Sequence, residues 1–350
     1  MDFIRRSISR FLPLLGAILA CYTIACRYSI RLADFYTLHI YPYISDALPR
    51  LSSVTAWPLQ GIAIALLVGF LVLILYMGFS RRWKTGRCLK YVFVTLLWTY
   101  VWFYMGWCTN YYRSPLSIRT GTPPTQYDET DFRHFLEDFS EQANAAWTAD
   151  TLQDKALLEK EIKAFYAQVP RSYGLTAPRA WHHPKTMAIS ALYSSTGVQG
   201  FMAPLFAESF VNADLLSKEY PFVYAHEYAH ILSVSNEAEA NWWAFHACCA
   251  SQIPAVRYSG YKSILPHVIV NAIQFLPKKE YRNWLSHIRH EVLNDLKASH
   301  DHWDAMRSPT LDKVQGHIYD LFLKSNHIPS GQKNYSEVVQ LLISQPAPHN

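Results

Sequence analysis

Long apolar runs occupy the first third of the chain, and mixed apolar and polar positions follow them. Three stretches contain no charged residue, over residues 11–26, 51–80 and 91–112. A helix that crosses a bilayer needs about 20 mostly apolar residues, and a flanking Arg27 can extend its side chain to the interface. The sequence therefore predicts a membrane domain over residues 1–112 with three transmembrane helices, at about 11–30, 58–79 and 90–111.

The rest of the chain changes its pattern several times. Residues 113–127 are rich in proline and threonine and are predicted to form a linker. Apolar positions at helical spacing then predict two helices between 128 and 168, broken near Asp150. Residues 170–212 lack helical signals, and they could form short strands at 187–193 and 200–206, the second confined to an edge by Pro204. A short ordered loop is the alternative. In the last third of the chain, helices are expected over residues 262–276, 279–298, 310–326 and 335–344.

Basic residues predict the orientation in the membrane. They precede the first apolar run and fill the connection between the second and third, at Arg5, Arg6, Arg10, Arg81, Arg82, Lys84, Arg87 and Lys90. Lysine and arginine favour the cytoplasmic side. Both groups can be cytoplasmic only if three spans are retained, so everything after about Arg113 is predicted to be extracytoplasmic. A cleaved signal peptide is the alternative for the first run, but no small-x-small cleavage site follows it.

Composition excludes some other functions. No basic run occurs in the second half of the chain, so the formal net charge of +5 does not indicate nucleic-acid binding. The six cysteines contain no Cys-x-x-Cys spacing and are expected to be packing groups and not metal ligands.

The chemistry is concentrated in one motif, His226-Glu-Tyr-Ala-His230. Histidines four apart on a helix lie on one face, because each residue turns the helix by about 100°. Two imidazoles can then bind one zinc ion, and Glu227 beside them can accept a proton from water. A surface helix that carries this string by coincidence is the alternative. The apolar approach with Pro221 and the absence of glycine within the motif favour a metal site.

A third ligand is expected from the next helix, which Asn236 is predicted to cap and which runs from Glu237 to about Cys249. Glu239 is the first residue on the helix face that also contains Trp243 and His246, so it is preferred as the metal ligand. Two alternatives stay open: Glu239 as the reciprocal partner of a capping box, and Glu237 as the ligand. Candidates for stabilising an oxyanion lie on later helices, at Tyr319, His290, Arg289 and His317.

These residues resemble a bacterial membrane-anchored family of unknown function that is presumed to consist of zinc metallopeptidases. The resemblance covers nearly the whole chain, and it is carried by the motif and by segments beginning at Asn110, Gly200, Glu239, Ile318 and Asn334. Ala207-Glu-Ser departs from the Gly-Glu-Ala that members often have. The resemblance implies a glutamate-type zincin in the bacterial inner membrane, with His226, His230 and Glu239 as zinc ligands and Glu227 as general base.

The expected protein is mostly α-helical, with three N-terminal transmembrane helices followed by a helical zincin-like (α+β) domain over residues 128–350 and a small edge-strand region. The expected function is zinc-dependent hydrolysis of envelope proteins or peptides, with Zn²⁺ as cofactor and the bilayer and a polypeptide as partners. Two alternatives remain: an envelope sensor or scaffold that zinc only stabilises, and an amidase acting on peptidoglycan peptides.

Overall fold

The computed structural model describes residues 2–122, 128–345 and 347–348, which form a mostly helical protein with one small sheet. The chain divides into two compact units. The membrane unit contains Met1–Ser114 together with Ala203–Glu208, a segment named here the hairpin loop. The second unit contains Pro115–Met202 and Ser209–Asn350 and is named here the motif unit.

The membrane unit is built from helices. They are α1 (Asp2–Tyr28), α2 (Ile30–Phe35), α3 (Tyr41–Ser52), α4 (Leu59–Phe79) and α5 (Thr85–Gly106). A π-helical turn, Tyr36–Ile40, joins α2 to α3. Part of α1 (Phe11–Tyr28) and all of α4 and α5 are long and apolar enough to cross a membrane. The three predicted spans are therefore present as helices, and the protein is membrane-associated.

The third of these helices differs from the prediction at both ends. It begins at Thr85 and ends at Gly106, whereas residues 90–111 were expected. The charge-free run marks only the apolar part of the helix, and Arg87 and Lys90 lie within its first turns. At the other end, Trp107 leaves the helical conformation (φ −164°), and a short 3₁₀ turn, Cys108–Tyr112, follows.

The hairpin loop is bound to the ends of α4 and α5. Pro58 provides no side-chain cap for α4. The Glu208 carboxylate instead accepts hydrogen bonds from the backbone N–H groups of Leu59 (3.2 Å) and Gln60 (3.0 Å). The indole of Trp102, in the last turns of α5, donates to the carbonyl of Leu205 at 2.5 Å. A negative charge thus satisfies N–H groups that a helix start leaves without partners.

The motif unit combines helices with three short strands. In chain order it contains α6 (Leu116–Thr120), α7 (Glu129–Ala146), α8 (Lys155–Gln168), β1 (Lys185–Thr186), α9 (Ser190–Ser194), β2 (Gly200–Ala203), β3 (Glu208–Val211), α10 (Tyr220–Ile231), α11 (Glu237–Cys249), α12 (Pro254–Phe275), α13 (Lys278–Ser286), α14 (His290–Met306), α15 (Pro309–Ser325) and α16 (Val338–Ser344). The first residue of β3 and the last of β2 belong to the hairpin loop.

Most of the predicted helices are confirmed, with two corrections. The two helices expected around Asp150 are α7 and α8. The predicted helix 279–298 is interrupted after Ser286 and becomes α13 and α14. Within the predicted linker, Leu116 is buried and begins α6, while 123–127 lie outside the described residues.

The strands were predicted less well. Residues 187–193 are not a strand, since α9 begins at Ser190. The sheet has the order β1-β3-β2, and β1 pairs in parallel with β3. β2 is therefore an edge strand as predicted, but it ends at Ala203, before Pro204. Every residue of β3 is buried, so its sequence lacks the alternation of polar and apolar positions that signals a half-buried strand.

The core of the motif unit surrounds α10 and α11. Nearly every side chain of these two helices is buried, and residues of α7, α8, α12 and α16 complete the same apolar cluster. Tyr228 and Trp243, one from each motif helix, are fully buried. A helix that is buried on all sides is positioned by its neighbours and not by an amphipathic face.

Candidate metal centre

The two histidines of the motif face each other across one turn of α10. Pro221 occupies the first turn of that helix, where its missing N–H costs no hydrogen bond. His226 and His230 are both buried, and their Nε2 atoms are 3.0 Å apart. The spacing of the motif therefore gives the geometry that the sequence predicted.

Second hydrogen bonds fix the orientation of both rings. His226 Nδ1 lies 2.8 Å from Oδ1 of Asn241, and His230 Nδ1 lies 2.7 Å from the carbonyl oxygen of Val234. Both partners are acceptors, so each Nδ1 is placed to donate to its partner. This leaves each Nε2 as the ring atom available to a metal ion, as in metal-binding histidines held by an outer partner.

The carboxylate that joins the two histidines is that of Glu237. Its Oε2 lies 3.2 Å from His226 Nε2 and 3.5 Å from His230 Nε2. Its other oxygen, Oε1, accepts a hydrogen bond from the hydroxyl of Tyr319 at 2.6 Å. Glu237 is buried in the first turn of α11, and Asn236 caps that helix as predicted, accepting from the N–H of Glu239.

The distances among these three atoms suit a zinc ion. Ligand atoms at 2.0–2.1 Å from a tetrahedral zinc are separated by about 3.3 Å. The three separations here are 3.0, 3.2 and 3.5 Å. Three electron-rich atoms at this spacing repel one another unless a cation or a shared proton lies among them. The donor set of two imidazoles and one carboxylate therefore fits the ligand types and spacing that zinc prefers.

The third ligand that the sequence prediction preferred, Glu239, has other partners in this structure. Glu239 forms a buried ion pair with Arg119 of α6 and accepts a hydrogen bond from the indole of Trp243 at 3.1 Å. Residues two apart on a helix differ by about 200° in direction, so Glu237 and Glu239 cannot face the same group. The arrangement assigns Glu237, the alternative that the sequence left open, to the histidine pair.

Glu227 lies beside the histidines but contacts the sheet. One of its carboxylate oxygens and one ring nitrogen of each histidine all lie within 4.8 Å of one another. Oε2 accepts a hydrogen bond from the hydroxyl of Ser209 in β3 at 2.5 Å. A Cβ at Gly200 of β2 would lie 2.2 Å from Oε1, so only glycine permits this approach of the strand to the carboxylate. Sequence reasoning did not identify Ser209 or Gly200 as site residues.

The pKa values of the two buried carboxyl groups, Glu227 and Glu237, shift in opposite directions. Burial raises the pKa of Glu227, although His230, His226 and the Ser209 bond oppose the rise. Burial also acts on Glu237, but the two histidines outweigh it and hold the pKa of this carboxyl well below its usual range. Burial lowers the pKa of His230, but the neighbouring Glu237 raises it more, and the net result is a pKa of about 9. Glu237 is therefore the carboxylate suited to a cation, and Glu227 the one suited to proton transfer.

Of the later candidates, the fold brings Tyr319 to the site. The others have different neighbours, because Arg289 pairs with Glu291, His290 contacts Asn294, and His317 is exposed. His267 of α12, which sequence reasoning missed, interacts electrostatically with His226. Burial, assisted by His226, lowers the pKa of His267 to about 4. Its position in an apolar helix gave no signal of this proximity.

Comparison with known proteins places the chain in a family without assigning it an activity. No curated protein and no solved structure matches the sequence. The model of a family described as "Protein of unknown function (DUF3810)" matches residues 36–343, which include parts of the membrane unit and the whole metal-centre candidate. The chain therefore belongs to the DUF3810 family of proteins of unknown function.

Proposed function

We propose that this protein is a membrane-anchored zinc metallopeptidase whose ligands are His226, His230 and Glu237. The observation that carries the proposal is the trio of buried ligand atoms at 3.0, 3.2 and 3.5 Å, beside a second carboxylate, Glu227, that is held separately. A histidine pair with an intervening glutamate on one helix and an acidic ligand on the next is the donor arrangement of glutamate-type zincins.

The residues of the chain have distinct tasks in this proposal. A bound zinc ion would supply Lewis acidity toward a peptide carbonyl and would lower the pKa of a water molecule. Asn241 and the Val234 carbonyl keep the imidazoles in the tautomer that can bind the ion. Glu227, whose pKa is raised by burial, accepts the proton of the water and returns it to the leaving amine. Ser209 and Gly200 hold its carboxylate in place.

Catalysis is favoured over a purely structural zinc site. Structural zinc in proteins is almost always bound by four protein ligands, whereas catalytic zinc has three and an open position. Glu227 is a further carboxylate within 4.8 Å of a ring nitrogen of each histidine, and its Oε2 is already hydrogen-bonded to Ser209. A site with three protein ligands, beside a carboxylate that other residues hold, supports a catalytic zinc ion over a structural one.

We further propose that the site is extracytoplasmic. The hairpin loop contacts the start of α4 and the end of α5, so these two helix ends lie on one side of the membrane unit. The connection at the other ends of α4 and α5 contains Arg81, Arg82 and Lys84, which favour the cytoplasm. The hairpin loop directly connects β2 to β3, the two strands that hold Glu227. A site on the extracytoplasmic side would meet envelope proteins and peptides, which are therefore the expected substrate class.

The test uses the full chain in detergent, because the hairpin loop folds with the membrane helices. We expect about one zinc per wild-type chain, retention of zinc by Glu227→Gln, and loss of zinc by His226→Ala. Hydrolysis of a mixed peptide library, followed by mass spectrometry, should require both zinc and Glu227. A correctly folded wild type that takes up no added zinc, or cleavage that is unchanged in Glu227→Gln, would contradict the proposal.

A further inference from the structure

Helix α15 reaches the metal centre although it is weakly packed elsewhere. Among its described side chains only Leu323 is fully buried, whereas Leu311, Val314, Ile318 and Leu321 are all exposed. Gln332 holds its middle by donating to the carbonyl of Gly316 at 2.6 Å. An element with few buried apolar contacts opens locally at a low free-energy cost.

The contact of α15 with the metal centre is made by Tyr319. Its hydroxyl donates to Oε1 of Glu237 at 2.6 Å, while Oε2 of the same carboxylate faces the two histidines. The ring of Tyr319 stacks on Phe322 with centroids 6.3 Å apart. The bond and the stacking together limit the position of the hydroxyl.

We infer that Tyr319 is a positioning residue of the metal centre, which fixes Glu237 so that Oε2 is directed to the ion. The inference rests on the proposed function, since it requires Glu237 to be a ligand. The terminal torsion of a glutamate has a broad, weak preference, so a free Glu237 would sample orientations that direct neither oxygen to the histidines. Outer partners that orient a metal ligand typically contribute about 10- to 100-fold in affinity.

A consequence follows for α15 itself. If the docked helix increases zinc affinity, bound zinc must stabilise the docked helix by the same factor, because the two equilibria are linked. Zinc should therefore slow hydrogen exchange of the α15 amides. Removal of the Tyr319 hydroxyl should abolish that effect while the helix itself remains.

The decisive variant is Tyr319→Phe, which keeps the ring and removes only the donor. Tyr258→Phe is the matched control, because the Tyr258 hydroxyl also donates to a carboxylate, Asp295, at 2.7 Å. Zinc affinity of the full chain in detergent is measured by competition with a chromophoric chelator. We expect a 10- to 100-fold increase in Kd for Tyr319→Phe and less than about threefold for the control, and we expect zinc to slow α15 exchange in the wild type and not in Tyr319→Phe.

The outcomes separate this inference from the proposed function. A wild type that binds no zinc overturns both. A wild type that binds zinc, with an unchanged Kd in Tyr319→Phe or an equal loss in the control, overturns only the role of Tyr319. If Tyr319→Phe does not fold, Gln332→Ala, which releases α15 at Gly316, should weaken zinc binding in the same direction, and an unchanged affinity would overturn the inference.

Discussion

Two glutamates at the start of α11 have opposite surroundings. Glu237 faces the imidazoles of His226 and His230, and Glu239 faces the guanidinium of Arg119. Each buried carboxylate is thus compensated by a different positive or metal-binding group, as burial of a charge requires. The direction of each side chain, and not its distance along the chain from the motif, decides which one can bind a metal.

The paired substitutions Glu237→Gln and Glu239→Gln test this division. Glu237→Gln should fold and should lose more zinc affinity than the about 100-fold that loss of an outer partner costs. Glu239→Gln should still bind zinc, but it leaves Arg119 buried without its charge partner and should lose about 3–5 kcal/mol of unfolding free energy. Zinc titration and thermal unfolding measure the two effects. Zinc binding that survives Glu237→Gln and disappears in Glu239→Gln would reverse the assignment.

At the scale of elements, the sheet completes what the two motif helices begin. Helices α10 and α11 supply the three proposed ligands, but the carboxylate of Glu227 is held from outside by β2 and β3. The backbone of β2 approaches so closely that no side chain fits at position 200. The short strands therefore determine where the proposed general base can lie.

Gly200→Ala tests the contribution of β2. The added Cβ would meet Oε1 of Glu227 at 2.2 Å and its Cγ at 2.7 Å, so the strand or the carboxylate must move. Overpacking of this kind costs about 1–3 kcal/mol. We expect lower thermal stability and loss of peptide hydrolysis, with zinc retained because the three ligands are untouched. Gly86→Ala is the control, since a Cβ there meets nothing within 4 Å. Equal stability loss in both variants would refute the role of Gly200.

At the scale of the whole molecule, zinc would join two helices at the centre of the motif unit. Helices α10 and α11 belong to one apolar core, and the proposed ligands His226, His230 and Glu237 are only 4–8 % exposed. A ligand that binds only the folded state stabilises it by mass action. Metal occupancy should therefore affect unfolding of the entire unit.

Removal of the metal should lower the thermal stability of the full chain. At a free zinc concentration 100 times the Kd, the stabilisation is about 2.7 kcal/mol. We expect a chelator to lower the unfolding temperature of the wild type and added zinc to restore it. His226→Ala should unfold at the same temperature with and without the chelator. A wild type whose unfolding temperature does not respond to chelator or to zinc would contradict a bound metal.

Much of the architecture was predictable because it depends on local patterns. Runs of apolar residues identify α4 without reference to the rest of the fold, and the capping preference of Asn236 identifies the start of α11. The ends of α5 were misplaced because a count of uncharged residues measures the apolar segment and not the helix. β3 was missed because a fully buried strand carries no alternating pattern.

The sequence by itself determined three apolar spans, a helical second half, and a histidine pair on one helix face, because each depends on residue type and on a fixed helical period. Only the tertiary structure decided the partners of that pair. The packing of α11 against α10 turned Glu237 toward the histidines and Glu239 toward Arg119. The sheet brought Ser209 to Glu227, and α15 brought Tyr319 to Glu237 across 82 positions of sequence. Contacts between distant segments depend on how whole elements pack, and no local period encodes them.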